Sequence, residues 1–153
     1  MLLAGYLSFG EWLQPSPARL RFQQDDKEGF VRALVVDDSK AMRAILRRIL
    51  RELGYEVLEA GDGREGLECL RKFGAADLAL VDWNMPEMNG LDFLRALRKE
   101  RSYDAMRVMM VTTETEMEEV AEALGVGASE YVMKPFTKEM ILEKLQILGL
   151  VQC

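Results

Sequence analysis

Five short apolar runs, each followed by a stretch of helical spacing, leave this chain very few architectures. The runs lie near Arg32–Asp37, Glu56–Glu59, Asp77–Asp82, Arg107–Thr112 and Glu130–Met133. Four of them are largely continuous in apolar residues rather than alternating, which is the pattern of strands covered on both faces. Between them the spacing becomes helical. Met42, Ile45, Leu46, Ile49, Leu50 and Leu53 recur at i, i+3, i+4, with Arg43, Arg47, Arg48 and Arg51 on the other face. Gly54 then supplies a stop. A second helix opens at Asp62, with Glu65 three residues on as its capping partner, and carries Leu67, Leu70 and Phe73. A third follows Asn89-Gly90 and buries Leu91, Leu94 and Leu97. Thr115 with Glu118 opens a fourth, about Glu116–Leu124, through Val120 and Leu124. The last, about Lys138–Leu148, begins after Thr137 and runs through Met140, Ile141, Leu145 and Leu148. Such alternation with short connections predicts an α/β fold, a parallel sheet with helices on both faces.

That arrangement gathers particular residues at one place. Asp37 and Asp38 close the run Ala33-Leu34-Val35-Val36, Asp82 closes Leu78-Ala79-Leu80-Val81, and Lys134-Pro135 follows Tyr131-Val132-Met133. The carboxyl ends of parallel strands lie along one edge, where ligands bind. Three carboxylates gathered there repel one another unless a divalent cation sits among them. Mg²⁺ is a hard ion that takes oxygen ligands, often one or two carboxylates plus phosphate oxygens. A lysine at the same edge adds charge suited to phosphate. The cluster reads as a metal-assisted phosphoryl site. Taken singly, its members say less. Asp37-Asp38 equally suits an acidic turn whose second member helps cap the helix at Ser39. Asp82 suits a polar strand end, Lys134-Pro135 a plain turn, and Thr112 a satisfied hydroxyl. The force lies in their combination on one edge of one sheet.

Composition removes several alternatives. At 153 residues, 49% apolar and 30% charged, the chain is an ordinary globular domain able to bury a real core. A net charge of −6 argues against a nucleic-acid-binding surface, which needs a basic patch. Cys69 and Cys153 make no disulfide framework and point to a reducing, cytoplasmic setting. Without histidine the chain has no histidine-based dyad and no phosphohistidine of its own. No apolar run approaches membrane-spanning length. Residues 1–30 stand apart: Met1–Leu13 is apolar but lacks the basic start of a signal peptide, Pro15-Ser16-Pro17 breaks it, and residues 23–29 read as a polar linker. They are expected to form a tail, with Phe9 and Trp12 available to dock on the domain; a start codon placed too far upstream accounts for them equally well. The division expected is a tail over 1–30, a domain over 31–150 and a short end at 151–153.

Four segments carry a family resemblance: Leu34-Val35-Val36-Asp37-Asp38-Ser39, Asp82-Trp83-Asn84-Met85-Pro86-Glu87-Met88-Asn89-Gly90, Met110-Val111-Thr112, and Tyr131-Val132-Met133-Lys134-Pro135-Phe136. Together they resemble the receiver domain of bacterial two-component response regulators, in its CheY-like chemotaxis branch, over about Val31 to Leu150. The stretch Asp82–Gly90 is the most specific. The fold that follows is a doubly wound five-stranded parallel sheet in the order 2-1-3-4-5, flavodoxin-like.

The resemblance also implies roles. Asp82 is the phosphoacceptor that attacks the phosphohistidine of a histidine kinase. Mg²⁺ is held by Asp38 and Asp82 directly, by Asp37 through water and by the backbone carbonyl of Asn84. Thr112 gives its hydroxyl and Lys134 its ammonium to the phosphoryl oxygens. Thr112 and aromatic Tyr131 form the switch, although a half-buried strand aromatic explains Tyr131 as well. Asn84, Thr113 and Glu114 tune acyl-phosphate loss. Thr113 departs from the family's usual small residue, so it hinders access by water or a phosphatase. The Lys134-Pro135 bond is expected to be cis. The residues after Phe136 suffice only for the last helix, so output is expected through an effector protein on the face of the fourth helix, fifth strand and fifth helix.

Two other readings remain. A phosphotransferase of the haloacid-dehalogenase type needs an acid/base aspartate where Asn84 stands, which counts against turnover catalysis. A phosphate sink or dimerisation module without an effector is not separated from a signalling receiver by sequence.

Overall fold

The structure, a computed structural model, describes residues 31–113 and 117–151. The elements in chain order are β1 (Val31–Val36), α1 (Lys40–Glu52), β2 (Tyr55–Ala60), α2 (Gly63–Phe73), β3 (Leu78–Asp82), α3 (Gly90–Arg98), a 3-10 turn (Arg101–Tyr103), β4 (Arg107–Thr112), α4 (Met117–Val126), β5 (Glu130–Met133) and α5 (Lys138–Ile147). The five strands form one parallel sheet in the order β2-β1-β3-β4-β5. This is the doubly wound topology that the alternation and the resemblance predict.

Most helix starts are written in the sequence as side-chain caps. Ser39 accepts the Met42 N–H at 3.1 Å, Asp62 the Glu65 N–H at 2.9 Å, and Thr137 the Met140 N–H at 3.1 Å. Glu65 in turn accepts the Gly61 N–H at 3.0 Å, so the predicted capping partner closes its ring one residue before the cap. Asn89, after which the third helix is expected, is the cap of α3 and accepts the Asp92 N–H at 2.8 Å. The cap predicted for the fourth helix, Thr115, lies outside the described residues. Gly54, at φ +95°, ends α1 as expected, in a conformation that side chains rarely adopt.

Strand alternation divides the core in two. Ala33, Val35, Leu78, Leu80, Met109 and Val111 face α1 and α5. Leu34, Val36, Ala79, Val81, Val108 and Met110 face α2, α3 and α4. Sheet residues are therefore buried on both sides, which is why their runs are continuous in sequence. Four expected core positions fall outside it. Ile45, Phe73, Leu124 and Met140 are each more than a third exposed. They flank buried Leu46, Leu70, Ala123 and Ile141, and a helix on a flat sheet buries a stripe too narrow to include its margins. Strand ends also differ slightly. β1 stops at Val36, and Asp77 precedes β3, where its carboxylate accepts the Arg32 N–H at 2.9 Å.

The register aligns the site. Val36 pairs with Val81, Asp82 with Val111, and Thr112 with Met133. Asp37 and Asp82 thus occupy one rung past Val36 and Val81, Thr112 stands one rung further, and Lys134 one beyond that. Gly90 fixes the loop above this edge. Its N–H donates to the Trp83 carbonyl at 2.9 Å, and a Cβ there would lie 2.4 Å from the Asp82 carbonyl oxygen. Because that neighbour is backbone, Gly90→Ala is expected to lower unfolding free energy by about 1–3 kcal/mol, the range for overpacking. Urea unfolding measures it, and an unchanged midpoint would show the loop to be slack.

Candidate functional site

Carboxylate oxygens of Asp37, Asp38 and Asp82 all lie within 4.8 Å of one another at the carboxyl edge of the sheet. Asp37 and Asp82 are buried, at 1% and 6% exposure, whereas Asp38 is exposed. Asp37 is held from two sides: its Oδ1 accepts the Ser39 N–H at 2.8 Å, and its own N–H donates to the Ala60 carbonyl at 3.1 Å. Lys134 reaches the cluster from the end of β5. Its Nζ lies 2.9 Å from Asp82 Oδ1 and 4.0 Å from Asp37 Oδ2. The Lys134-Pro135 bond is cis, as expected, and the Lys134 N–H donates to the Thr112 carbonyl at 2.7 Å.

One ammonium does not balance three carboxylates. Burial pushes the Asp37 carboxyl above its ordinary range; the Ser39 N–H and Lys134 pull it back, and the Asp38 charge adds to the rise. Burial likewise raises Asp82, against the Lys134 hydrogen bond and with the charges of Asp37 and Asp38. Among the described residues, Asp37 Oδ2 is a buried oxygen with no hydrogen-bond partner. An orphaned buried carboxylate oxygen facing two more carboxylates is a donor set for a hard divalent cation. The residues present fit Mg²⁺.

The remaining candidates stand around this cluster. Thr112 is fully buried, and its hydroxyl donates to the Thr113 carbonyl at 3.3 Å. Thr113 is half-buried and Asn84 exposed at the start of the loop after β3. Tyr131 is half-buried and packs against the core cluster on the α2–α4 side, with Lys144 Nζ 5.0 Å from its ring centre. Glu114 lies outside the described residues. Farther along the loop, Glu87 is the one non-glycine residue at positive φ (+66°) among those described.

Two features of the site escape sequence reasoning. The Ser39 N–H that orients Asp37 is a backbone group and carries no residue signature. The buried Trp83 indole donates to Glu119 Oε2 at 3.2 Å, across from β3 to α4. A buried indole always needs an acceptor, but spacing alone does not say which of many glutamates supplies it.

A carboxyl whose pKa is raised by folding binds its proton more tightly folded than unfolded. The folded state therefore loses stability as pH rises from about 3.9, the unfolded value, through the raised one. Asp37→Asn keeps an acceptor for Ser39 and removes the charge. Without divalent cations it is expected to raise the thermal midpoint at pH 7, by roughly 4 °C for each kcal/mol relieved. The gain should vanish as pH approaches 4. Scanning calorimetry across that range checks it; a gain that persists in acid would assign the effect to packing.

Comparison with known proteins agrees with this geometry. The family described as the response regulator receiver domain matches residues 33–146. A chemotaxis protein CheY homolog of Campylobacter jejuni is 45% identical over 121 residues, 78% of this chain and 93% of that one. The CheY1 protein of Helicobacter pylori is 43% identical over 118 residues, covering 76% and 95%. Among solved structures, Vibrio cholerae CheY4 superposes with a TM-score of 0.72 at 39% identity, over 77% of this chain and 98% of that one. With its fold, its acidic edge and these relatives in accord, the chain belongs to the response regulator receiver domain family, among the chemotaxis proteins of the CheY type.

Proposed function

We propose that this protein is a phosphorylation switch in which Asp82 accepts a phosphoryl group from a histidine kinase. The observation that carries the reading is the buried pair Asp37 and Asp82, sharing Lys134 and leaving Asp37 Oδ2 without a hydrogen-bond partner. Asp37, Asp38, Asp82 and the Asn84 carbonyl would hold Mg²⁺, which when bound neutralises charge on the transferring phosphoryl group. An Asp82 oxygen attacks the phosphorus of a phosphoimidazole; the O–P bond forms as the N–P bond breaks, and the imidazole leaves. Lys134, already 2.9 Å from Asp82, keeps its ammonium on the new phosphoryl oxygens. Thr112, one rung past Asp82 on β4, turns its hydroxyl toward them. By the resemblance, Asn84, Thr113 and Glu114 set the lifetime of the acyl phosphate. The protein assists its own phosphorylation and hydrolysis but is not a turnover enzyme, since Asn84 offers no acid/base carboxyl.

Output then runs through the side of the sheet that carries α4, β5 and α5. Thr112 moving toward the phosphoryl group vacates space that the Tyr131 ring can enter. The helices flanking β5 carry exposed Leu124, Met140 and Ile147, apolar surface that an effector can cover. An effector preferring the inward state favours phosphorylation in turn, because coupling is reciprocal. No helix among the described residues is long and apolar enough to cross a membrane, and we place the protein in the cytoplasm with its kinase. Residues 31–150 are the working unit, and residues 1–30, outside the described residues, take no part in the site.

Acetyl phosphate with Mg²⁺ should add one phosphoryl group, located by mass spectrometry at Asp82. The chain trimmed to residues 31–150 should label equally, and Asp82→Asn should abolish the label. Comparable labelling of that variant at another residue would overturn the assignment. A second expectation concerns transmission: Thr112→Ala should reduce the effect of beryllofluoride on effector binding about tenfold, within the usual range of coupling, while Mg²⁺ affinity stays within twofold by calorimetry. Equal coupling in both proteins would remove Thr112 from the switch, and the sink or dimerisation module would become the better reading.

A further inference from the structure

The helix through which output would run is fastened unevenly. α3 buries Leu91, Phe93, Leu94 and Leu97, whereas the buried side chains described on α4 are those of Val120 and Ala123. Polar contacts supply the rest. At the far end, Arg98 donates from Nε at 3.1 Å and from Nη2 at 3.0 Å to the Gly127 carbonyl, just past the last turn. The same guanidinium donates to the carbonyls of Tyr103 and Met106, so this anchor is tied into the core. Midway, Arg95 pairs with Glu122; both are about half exposed, and such pairs contribute little. At the near end, the polar contact described for the first turn is the Trp83 indole N–H on Glu119 Oε2.

Trp83 cannot drift. Its N–H donates to the Val111 carbonyl at 3.1 Å, its carbonyl accepts from Gly90, and the indole is only 4% exposed. Releasing Glu119 leaves a buried N–H donor without its partner, so the contact favours the position of α4 seen here. Trp83 is also the residue directly after Asp82. A phosphoryl group brings a charge of about −1.5 to −2 to that point, and Glu119 holds its own carboxylate at the neighbouring side chain. The positive end of the helix dipole would attract the new charge. Yet the first turn of α4 carries Glu118 and Glu119 with no basic residue, so its own carboxylates oppose negative charge added at Asp82.

We infer that the Trp83–Glu119 hydrogen bond is a latch, one that holds the first turn of α4 in its unphosphorylated position and is opened by charge at Asp82. The inference rests on the reading of Asp82 as phosphoacceptor and adds positioning residues to it. Neither residue touches the transferred group; both act by setting where α4 sits. With the far end clamped by Arg98, opening the near end tilts the helix about Gly127.

Calorimetry of beryllofluoride binding with Mg²⁺, alongside thermal unfolding without either, tests the latch. Glu119→Ala removes the hydrogen bond and is expected to lower the unfolding midpoint yet bind beryllofluoride about fivefold more tightly, at the lower end of usual couplings. Trp83→Phe should do the same, and the double variant should gain no more than either single one. Glu119→Gln keeps an acceptor oxygen without charge; its midpoint should stay at the wild-type value while beryllofluoride binding still tightens. A contact that favours the bound state lowers midpoint and affinity together when removed, and that result overturns the latch. So does unchanged beryllofluoride affinity in Glu119→Ala and Glu119→Gln when the wild type binds it. Wild type that fails to bind beryllofluoride with Mg²⁺ refutes the underlying reading of Asp82, and the latch with it.

Discussion

Crowding of carboxylates at one sheet edge is the constraint from which the rest of this structure follows. Parallel pairing brings the ends of β1 and β3 to the same rung, so Asp37 and Asp82 become neighbours whatever their preference. Burial then raises both carboxyls, and a single lysine, 2.9 Å from one and 4.0 Å from the other, offsets the repulsion only in part. The local backbone is spent on holding this arrangement. Ser39 orients Asp37, the Lys134 N–H binds the Thr112 carbonyl, and Gly90 closes over Asp82 at a distance no side chain tolerates. A protein selected for stability alone would not keep three acids here. Their retention makes sense for a site that waits for positive charge and then for phosphate.

Much of this was legible in the sequence because the physics behind it is local or periodic. Continuous apolar runs declared strands covered on both faces, and Ser39, Asp62 and Thr137 act as helix caps at the positions where the chain places them. The acidic cluster was legible at one remove: once the strands are parallel, their ends must meet. What spacing could not supply were pairings set by three-dimensional accident. Ile45 and Phe73 have helical spacing yet lie at the margin of their helices, and only the curvature of helix on sheet decides that they stay in water. Asn89 was readable as the residue before a helix, and its bond to the Asp92 N–H makes it the cap. Trp83 and Glu119 are far apart in sequence, and no motif pairs the one with the other.

Helices α3 and α4 illustrate two ways of being attached. The first is set in place by apolar side chains that cannot leave the core without exposing large area. The second leans on polar contacts at its two ends and on the exposed Arg95–Glu122 pair, which exchanges for water at little net change in free energy. Elements of the second kind populate alternative positions more readily, and they are the ones that regulated proteins recruit. The contrast is visible in composition as well: the α4 sequence is rich in glutamate and small residues where α3 has leucine and phenylalanine.

The division of the core by the sheet has a further consequence for how this protein tolerates change. Trp83, Met110 and Tyr131 share one cluster with Ala123 of α4, whereas α1 and α5 pack on the opposite cluster with Val35, Leu80 and Val111. The backbone lies between the two faces, which meet at the open edge of the sheet, where Lys144 of α5 reaches the Tyr131 ring. Substitutions behind α1 should therefore wear away at folding while leaving responsiveness intact. Those on the other face alter both at once, since the same side chains fill space and transmit displacement. On the proposed reading, the face with Trp83, Met110 and Tyr131 is held by two demands together, and of the opposite face only the part behind α1, away from the output surface of α5, is free to drift within the limits of packing.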